Sequence, residues 1–380
     1  MTASGAGGDL RDDGRRTEGA SVAEHVDVAV VGGGQAGLAT AYHLRRAGLV
    51  PGREVVVLDA ETRPGGAWQH MWEGLRLFSP SGYSSLPGWM MPRWDDEAGG
   101  LPTRDHVVDY LTRYEERYAL DVRRSHRVSA VTRDGDGDRL RVRAGRLELD
   151  ARHVVSTTGT WSQPFWPTYP GARDFRGRQL HASQYRRPED LAGQRVVVVG
   201  GGNSGAQVLA ELAEVADTTW VTSRPPRFLP DDVDGRALFA AATARVAALR
   251  EGREHRGVGG LGDIVVVDGV RRARDRGHLR ARPIFARLTA TGVAWPDGSQ
   301  VEADAIVWCT GFRPALRHLR TLGLHDRRGH VALEGTRVTA EPRLHLVGYG
   351  DWTGAASATL LGVGRSARDT AAEIIERLGR

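Results

Sequence analysis

Apolar and polar positions along the chain fall into two matching blocks. In "HVDVAVVGGGQAGLATAYHLRRAGL" a short apolar run at residues 26–31, interrupted only by Asp27, ends in three glycines. Leu38, Ala41 and Leu44 then recur at helical spacing, and "REVVVLDAE" supplies a second apolar run. The block repeats in "QRVVVVGGGNSGAQVLAELAEV", where Val208, Leu209, Leu212 and Val215 share one side of a helix and a strand follows at 218–222. Short continuous apolar runs read as buried strands, and spacings of three and four as an amphipathic helix. The pattern predicts two strand–helix–strand units. Between them, residues 126–159 alternate apolar and polar positions around Asp-Gly turns and read as a β-meander. Two apolar runs that end in Thr-Gly, "VVSTTG" and "AIVWCTG", mark places where the chain crosses between the units. The last segment, "RLHLVGYGDWTGAASATLLGVGRSARDTAAEI", reads as a strand, a Gly-Asp turn and a long helix.

Composition narrows the class. A chain of 380 residues with 40% apolar content suits two buried cores and has no run of membrane-spanning length. Residues 1–22 are rich in glycine and charge and lack an apolar segment, so they read as a disordered tail rather than a signal peptide. The one cysteine, Cys309, excludes an internal disulfide and any reductase that works through a cysteine pair, and it points to the cytoplasm. The formal charge of +5 is carried by arginines spread along the whole chain, with no lysine. That spread predicts a solvated surface and no nucleic-acid partner. No metal-ligand spacing appears, so no metal is expected.

The glycines add chemistry. Gly32, Gly34 and Gly37 form G-x-G-x-x-G between a strand and a helix. In that context the first glycine permits the tight turn, the second lets a pyrophosphate approach, and the third packs helix on strand. The helix N-terminus offers free N–H groups to phosphate. Asp59, about 20 residues on, suits ribose hydroxyls, with Glu61 the lesser candidate. Gly200, Gly202 and Gly205 repeat the fingerprint, with Ser204 in the loop. Here the second strand ends in Ser223 and Arg224 rather than an acid. A basic end accepts a ribose 2′-phosphate that a carboxylate would repel, and Arg227 lies near enough to help. FAD is therefore expected in the first unit and NADPH in the second. Asp351 in the last turn suits a ribityl hydroxyl of the flavin.

One stretch does not belong to either loop. "FRGRQLHASQYR" sets Phe175, Gly177, His181 and Tyr185 in F-x-G-x-x-x-H-x-x-x-Y just ahead of the second glycine loop. With both fingerprints, the two Thr-Gly crossings and the final helix, it resembles the class B flavin-dependent monooxygenases, the flavin-containing monooxygenase family. In "GGAWQH", Gly65, Gly66 and Trp68 match that family's second FAD contact. "RPGGAWQHMWEGLRLFSPSGYSSLPGWMMP" and "FLPDDVDGRALFAAATAR" are most similar to small bacterial ArsO-type members associated with arsenic resistance.

The resemblance implies an α/β fold of two Rossmann-like, glutathione-reductase-type domains, the NADPH domain inserted in the FAD domain. Boundaries follow at 23–165 and 305–380 for FAD and 166–304 for NADPH. It further implies a monooxygenase in which NADPH reduces FAD, and a C4a-hydroperoxyflavin oxygenates a small soft nucleophile: sulfur, nitrogen, selenium or trivalent arsenic. The partners are that small molecule and O2, without membrane, and possible self-association as a homodimer. His181 and Tyr185 would hold NADP in place. Many members set an Asn beside the flavin. The single Asn here is Asn203, inside the second glycine loop, and Ser79, Ser81, Ser84 and Ser85 stand in the region after Trp72. His70 is a possible polar contact near the isoalloxazine. Two alternatives stay open: an NADPH-dependent oxidase or reductase that releases peroxide, and a flavoprotein redox partner without turnover.

Overall fold

The computed structural model describes residues 23–94, 101–133, 137–233, 264–326 and 330–380, with Gly235, Ala237, Ala240 and Ala244 between the third and fourth segments. The expected tail, the first Asp-Gly turn of the meander and much of the "FLPDDVDGRALFAAATAR" stretch lie outside the described residues.

The first unit opens with β1 (Glu24–Val31), α1 (Gln35–Arg46) and β2 (Val55–Leu58), followed by α2 (Arg104–Arg117) and β3 (Val122–Arg123). The meander follows as β4 (Ala130–Arg133), β5 (Leu140–Ala144) and β6 (Leu147–Ser156). β1 runs parallel to β2 on one side and to β6 on the other. Its residues 28–31 are buried because helices or strands cover both faces, which is why the run is unbroken by polar residues. α1 packs against the last helix, so the ends of the chain close one core.

The second unit holds β7 (Arg178–His181), β8 (Arg195–Val199), α3 (Asn203–Leu212), β9 (Asp217–Thr222), α4 (Asp268–Asp275) and β10 (Ala281–Pro283). A small antiparallel sheet follows, β11 (Arg287–Thr289), β12 (Gly292–Ala294) and β13 (Gln300–Glu302), and then β14 (Ala305–Trp308). The five-stranded sheet has the order β10-β9-β8-β14-β7. The chain then returns through β15 (Leu333–Glu334), β16 (Arg337–Val338) and β17 (Glu341–Leu346) to the first sheet, where β17 pairs with β6, and ends in α5 (Val363–Arg377). The second unit is thus inserted in the first.

One boundary is corrected. β14 was expected to open the returning FAD segment, but it pairs with β7 and β8. The second sheet therefore extends to Trp308. An apolar four-residue strand fits the interior of either sheet, so its pattern alone does not say which one receives it.

The two Thr-Gly crossings run side by side. Phe165 N–H donates to the Gly311 carbonyl at 2.9 Å, Arg313 N–H to Gln163 at 2.8 Å, and Ala315 N–H to Gly159 at 2.9 Å. Trp161 stacks on Phe312 with ring centroids 5.1 Å apart. Among the described residues no helix is long and apolar enough to cross a membrane.

Candidate active site

The first glycine loop shows a separate reason for each glycine. Gly32 has φ +111°, a left-handed conformation that disfavours side chains. A Cβ on Gly37 would lie 1.8 Å from the Gly32 carbonyl oxygen, so only glycine lets α1 start against β1. At Gly34 the nearest atom to a Cβ would be the Gly66 Cα at 3.7 Å, and the loop there faces a groove. α1 begins without a side-chain cap, which leaves its N-terminal N–H groups for a ligand. Gly66 crosses directly over Gly34: a Cβ on it would stand 2.7 Å from the Gly34 Cα. Trp68 then donates through its indole N–H to Gln35 at 2.9 Å, and Gln35 donates to the Ala358 carbonyl at 2.8 Å. This chain ties the "GGAW" turn, the helix start and the last loop into one wall.

Asp59 ends β2 beside the groove. It is 5% exposed, and its Oδ2 has no hydrogen-bond partner among the described residues. Burial raises its pKa, while the Glu61 N–H and Arg124 pull it back. The Arg124 guanidinium stands 3.8 Å away, and its Nη1 is also buried without a partner. A buried acceptor left open at this place fits a ribose hydroxyl. His70 does not stand free as a flavin contact: its Nε2 is 3.1 Å from Glu61 Oε2, on the Asp59 side of the groove.

The second loop repeats the first. Gly200 has φ +139°, and a Cβ on it would meet the Cys309 carbonyl at 2.3 Å. A Cβ on Gly205 would meet the Gly200 carbonyl at 2.2 Å, whereas nothing lies within 4 Å of one on Gly202. α3 also begins without a side-chain cap. Ser223 and Arg224 are exposed just past β9, and the Arg224 carbonyl lies 3.9 Å from a Cβ on Gly201. Strand end and glycine loop therefore form one rim. Asn203 accepts from the Val265 N–H at 2.8 Å through its side-chain carbonyl. That bond pins the segment before α4 and engages the one Asn of the chain. Burial pushes the Cys309 thiol up to about 12, so it stays protonated.

The motif residues are built into the core and the linker of the second unit. Phe175 packs in the second core, and a Cβ on Gly177 would stand 2.4 Å from the Phe175 ring and 2.5 Å from the Asp304 carbonyl. His181 is fully buried and uses both ring nitrogens. Its Nδ1 accepts from the Ser183 N–H at 3.1 Å, so Nε2 carries the proton and donates to the Gly311 carbonyl at 3.0 Å. Burial lowers its pKa. It thereby fastens the linker to the second crossing. Tyr185 donates to Glu211 Oε2 at 2.9 Å, and the Trp72 indole donates to Glu211 Oε1 at 2.9 Å. Glu211 was not foreseen from the sequence.

These elements enclose one continuous cleft. The groove, about 750 Å³, runs past both Gly34 and Asp59. It meets a second chamber of about 550 Å³, and Trp68, Met71, Trp72 and Ser204 line both. Asp351, expected at the ribityl chain, lies in the wall of the chamber rather than of the groove. Ser79 and Ser84 line the chamber, while Ser81 and Ser85 are buried and Ser85 accepts from the Met91 N–H at 2.8 Å. At the floor of the groove Ser156 joins His318 at 3.0 Å and Tyr349 at 2.8 Å, and Tyr349 joins Thr158 at 2.8 Å. This network was also not foreseen, since its members lie up to 193 positions apart.

Two dinucleotide loops opening on one cleft define a flavin- and nicotinamide-dependent oxidoreductase. Residues 29–246 match the pyridine nucleotide-disulphide oxidoreductase family. The flavin-containing monooxygenase from Stenotrophomonas maltophilia is 48% identical, covers 93% of this chain and 99% of its own, and superposes with a TM-score of 0.82. A Geobacillus kaustophilus protein described as an "uncharacterized oxidoreductase CzcO-like" is 26% identical over 346 residues, 90% of this chain and 96% of its own length. A Baeyer-Villiger monooxygenase from Streptomyces coelicolor is 32% identical over 231 residues, 60% of this chain and 43% of its own. The chain belongs to the pyridine nucleotide-disulphide oxidoreductase family and, within it, to the flavin-dependent monooxygenases, which use FAD and NADPH.

Proposed function

We propose that the protein oxygenates a small, uncharged soft nucleophile, at sulfur, nitrogen, selenium or trivalent arsenic, using NADPH and O2. The observation that carries this reading is the chamber. It adjoins the dinucleotide groove, is walled largely by Trp, Leu, Met and Ala side chains, and has Arg76 and Asp351 as its charged members. Such a wall suits a neutral organic or arsenous compound better than a phosphate or carboxylate.

Gly34, Gly66, Trp68 and the α1 N-terminus would hold the FAD pyrophosphate, and Asp59 its ribose. Gly202, Ser204 and the α3 N-terminus would hold NADPH, with Ser223 and Arg224 at its 2′-phosphate. Bound flavin supplies the electron transfer and the activation of oxygen. The chain's own part is to orient and to exclude water. Trp68, Met71 and Trp72 line both the groove and the chamber. His181, with both nitrogens engaged, holds the linker rather than moving a proton.

The engaged Asn203 favours a second outcome, partial release of peroxide, because its carbonyl is not free to face the flavin. NADPH oxidation measured with methyl phenyl sulfide, a tertiary amine, an organic selenide and arsenite in turn separates the two. With catalase present to remove free peroxide, oxygenated product from at least one of them supports oxygenation. Release of all reducing equivalents as peroxide with every one overturns it, and a peroxide-forming oxidase takes its place.

A further inference from the structure

Glu211 sits where three parts of the molecule meet. Its two carboxylate oxygens accept from Trp72, in the first unit, and from Tyr185, at the end of the linker. Trp72 and Tyr185 are 5% and 1% exposed, with ring centroids 6.4 Å apart. A Cβ on Gly74 would stand 2.3 Å from Glu211 Oε1, so that glycine makes room for the carboxylate. Beside it, Glu73 N–H donates to the Arg186 carbonyl at 2.9 Å. Among the described residues no cation lies within ion-pair distance of Glu211, and burial raises its pKa. Two neutral donors alone hold it. A half-buried carboxylate without a cation is costly to desolvate, and it stays only where its geometry is needed or offset by such bonds.

The helix explains the need. Ser204, Gln207 and Glu211 follow one another at helical spacing on α3, and Ser204 and Gln207 line the chamber. The N-terminus of α3 would hold the nicotinamide dinucleotide, while Trp72 lines the groove that would hold the flavin. The carboxylate therefore fixes the roll and approach of the helix that carries one cofactor against the wall that borders the other.

We infer that Glu211 is a positioning residue, which sets the nicotinamide against the flavin by clamping Trp72 and Tyr185 to α3. The inference rests on the two-cofactor assignment and not on the identity of the oxygenated substrate, so its test uses no substrate. Glutamine can keep the clamp, since its carbonyl accepts from the indole and its amide donates to the phenol oxygen. Alanine cannot, and Tyr185→Phe removes one half.

The FAD-loaded protein is mixed anaerobically with increasing NADPH, and the limiting rate of flavin bleaching is read apart from the apparent Kd. Glu211→Ala is expected to bleach at least about tenfold slower at saturation, with Kd within about twofold of the parent, because misplacement by a fraction of an ångström acts on the transfer step. Tyr185→Phe is expected to fall about threefold or more, and Glu211→Gln to stay within about threefold. Hydrogen exchange of the flavin-free protein gives an independent reading: the Glu73 amide should exchange faster in Glu211→Ala and not in Glu211→Gln. Parental bleaching rates in both Glu211→Ala and Tyr185→Phe, or a loss confined to Kd, overturn the inference. Where Glu211→Ala does not fold, a parental rate in Tyr185→Phe overturns it alone. Absence of any oxygenated product, by contrast, bears only on the substrate reading.

Discussion

Single atoms decide the glycine loops, and there the sequence was most informative. Gly34 and Gly37 look alike in the fingerprint but differ in space. A methyl on Gly34 has room, 3.7 Å from its nearest neighbour, whereas one on Gly37 would stand 1.8 Å from a carbonyl oxygen. Gly34→Ala should therefore fold and lose flavin, while Gly37→Ala should lose the fold, since backbone atoms cannot give way cheaply. Circular dichroism and the ratio of flavin to protein absorbance check both; a well-folded, fully yellow Gly37→Ala protein would contradict the packing described. These roles were legible because a fixed turn and a close approach leave one residue type. Glu211 was not. A glutamate on a helix reads as surface, and the only signal was its place three residues after Val208, at the edge of the buried stripe.

Strand ends carry coenzyme choice. Thr222, the last residue of β9, packs against Gly201, with its Cγ2 3.3 Å from a Cβ there, and this sets Ser223 and Arg224 on the rim of the loop. Replacing Arg224 by alanine should raise the KM for NADPH about tenfold, the worth of one charge-assisted contact, and barely alter that for NADH. Steady-state kinetics with both coenzymes check this, and a parent that already prefers NADH would contradict it. Element identity was largely legible here: both strand–helix–strand units, the meander and the final helix stand where periodicity put them, except that α3 ends at Leu212 and leaves Val215 in the turn after it. Element membership was less so. β14 joined the other sheet because its apolar side chains suit either interior, and Asp351 faces the chamber because the turn before α5 is set by tertiary packing, not by local pattern. The motif of Phe175, Gly177, His181 and Tyr185 announced itself by spacing, but what each touches became visible only when distant carbonyls and Glu211 were in place.

Over the whole molecule, buried histidines set the response to acid. His345 is fully buried on β17, 5.9 Å from His153 between ring centroids, and neither ring nitrogen of His345 has a partner among the described residues. Burial, with His153, Arg377 and Arg337 nearby, pushes its pKa down to about 3. His153 and His318 are each pushed down to about 4, chiefly by burial. A histidine that refuses protons when folded is neutral to stability above its unfolded pKa of about 6.5 and costs stability as pH falls below it, until the folded pKa is reached. By pH 5 each should cost about 2 kcal/mol. His345→Leu should shrink the loss of stability between pH 8 and pH 5 by about that amount, read by urea unfolding at both values; an unchanged loss would contradict the burial described. At the same scale, the two cofactor loops, the linker and the apolar chamber act as one machine, and its central claim concerns the fate of oxygen. The most direct measurement runs the reaction under ¹⁸O2 in ordinary water with methyl phenyl sulfide, whose sulfoxide keeps its oxygen, and with catalase to remove free peroxide, and weighs the product. A single labelled oxygen in each product molecule, taken from O2, is expected. Product oxygen without label, drawn from water, would contradict it.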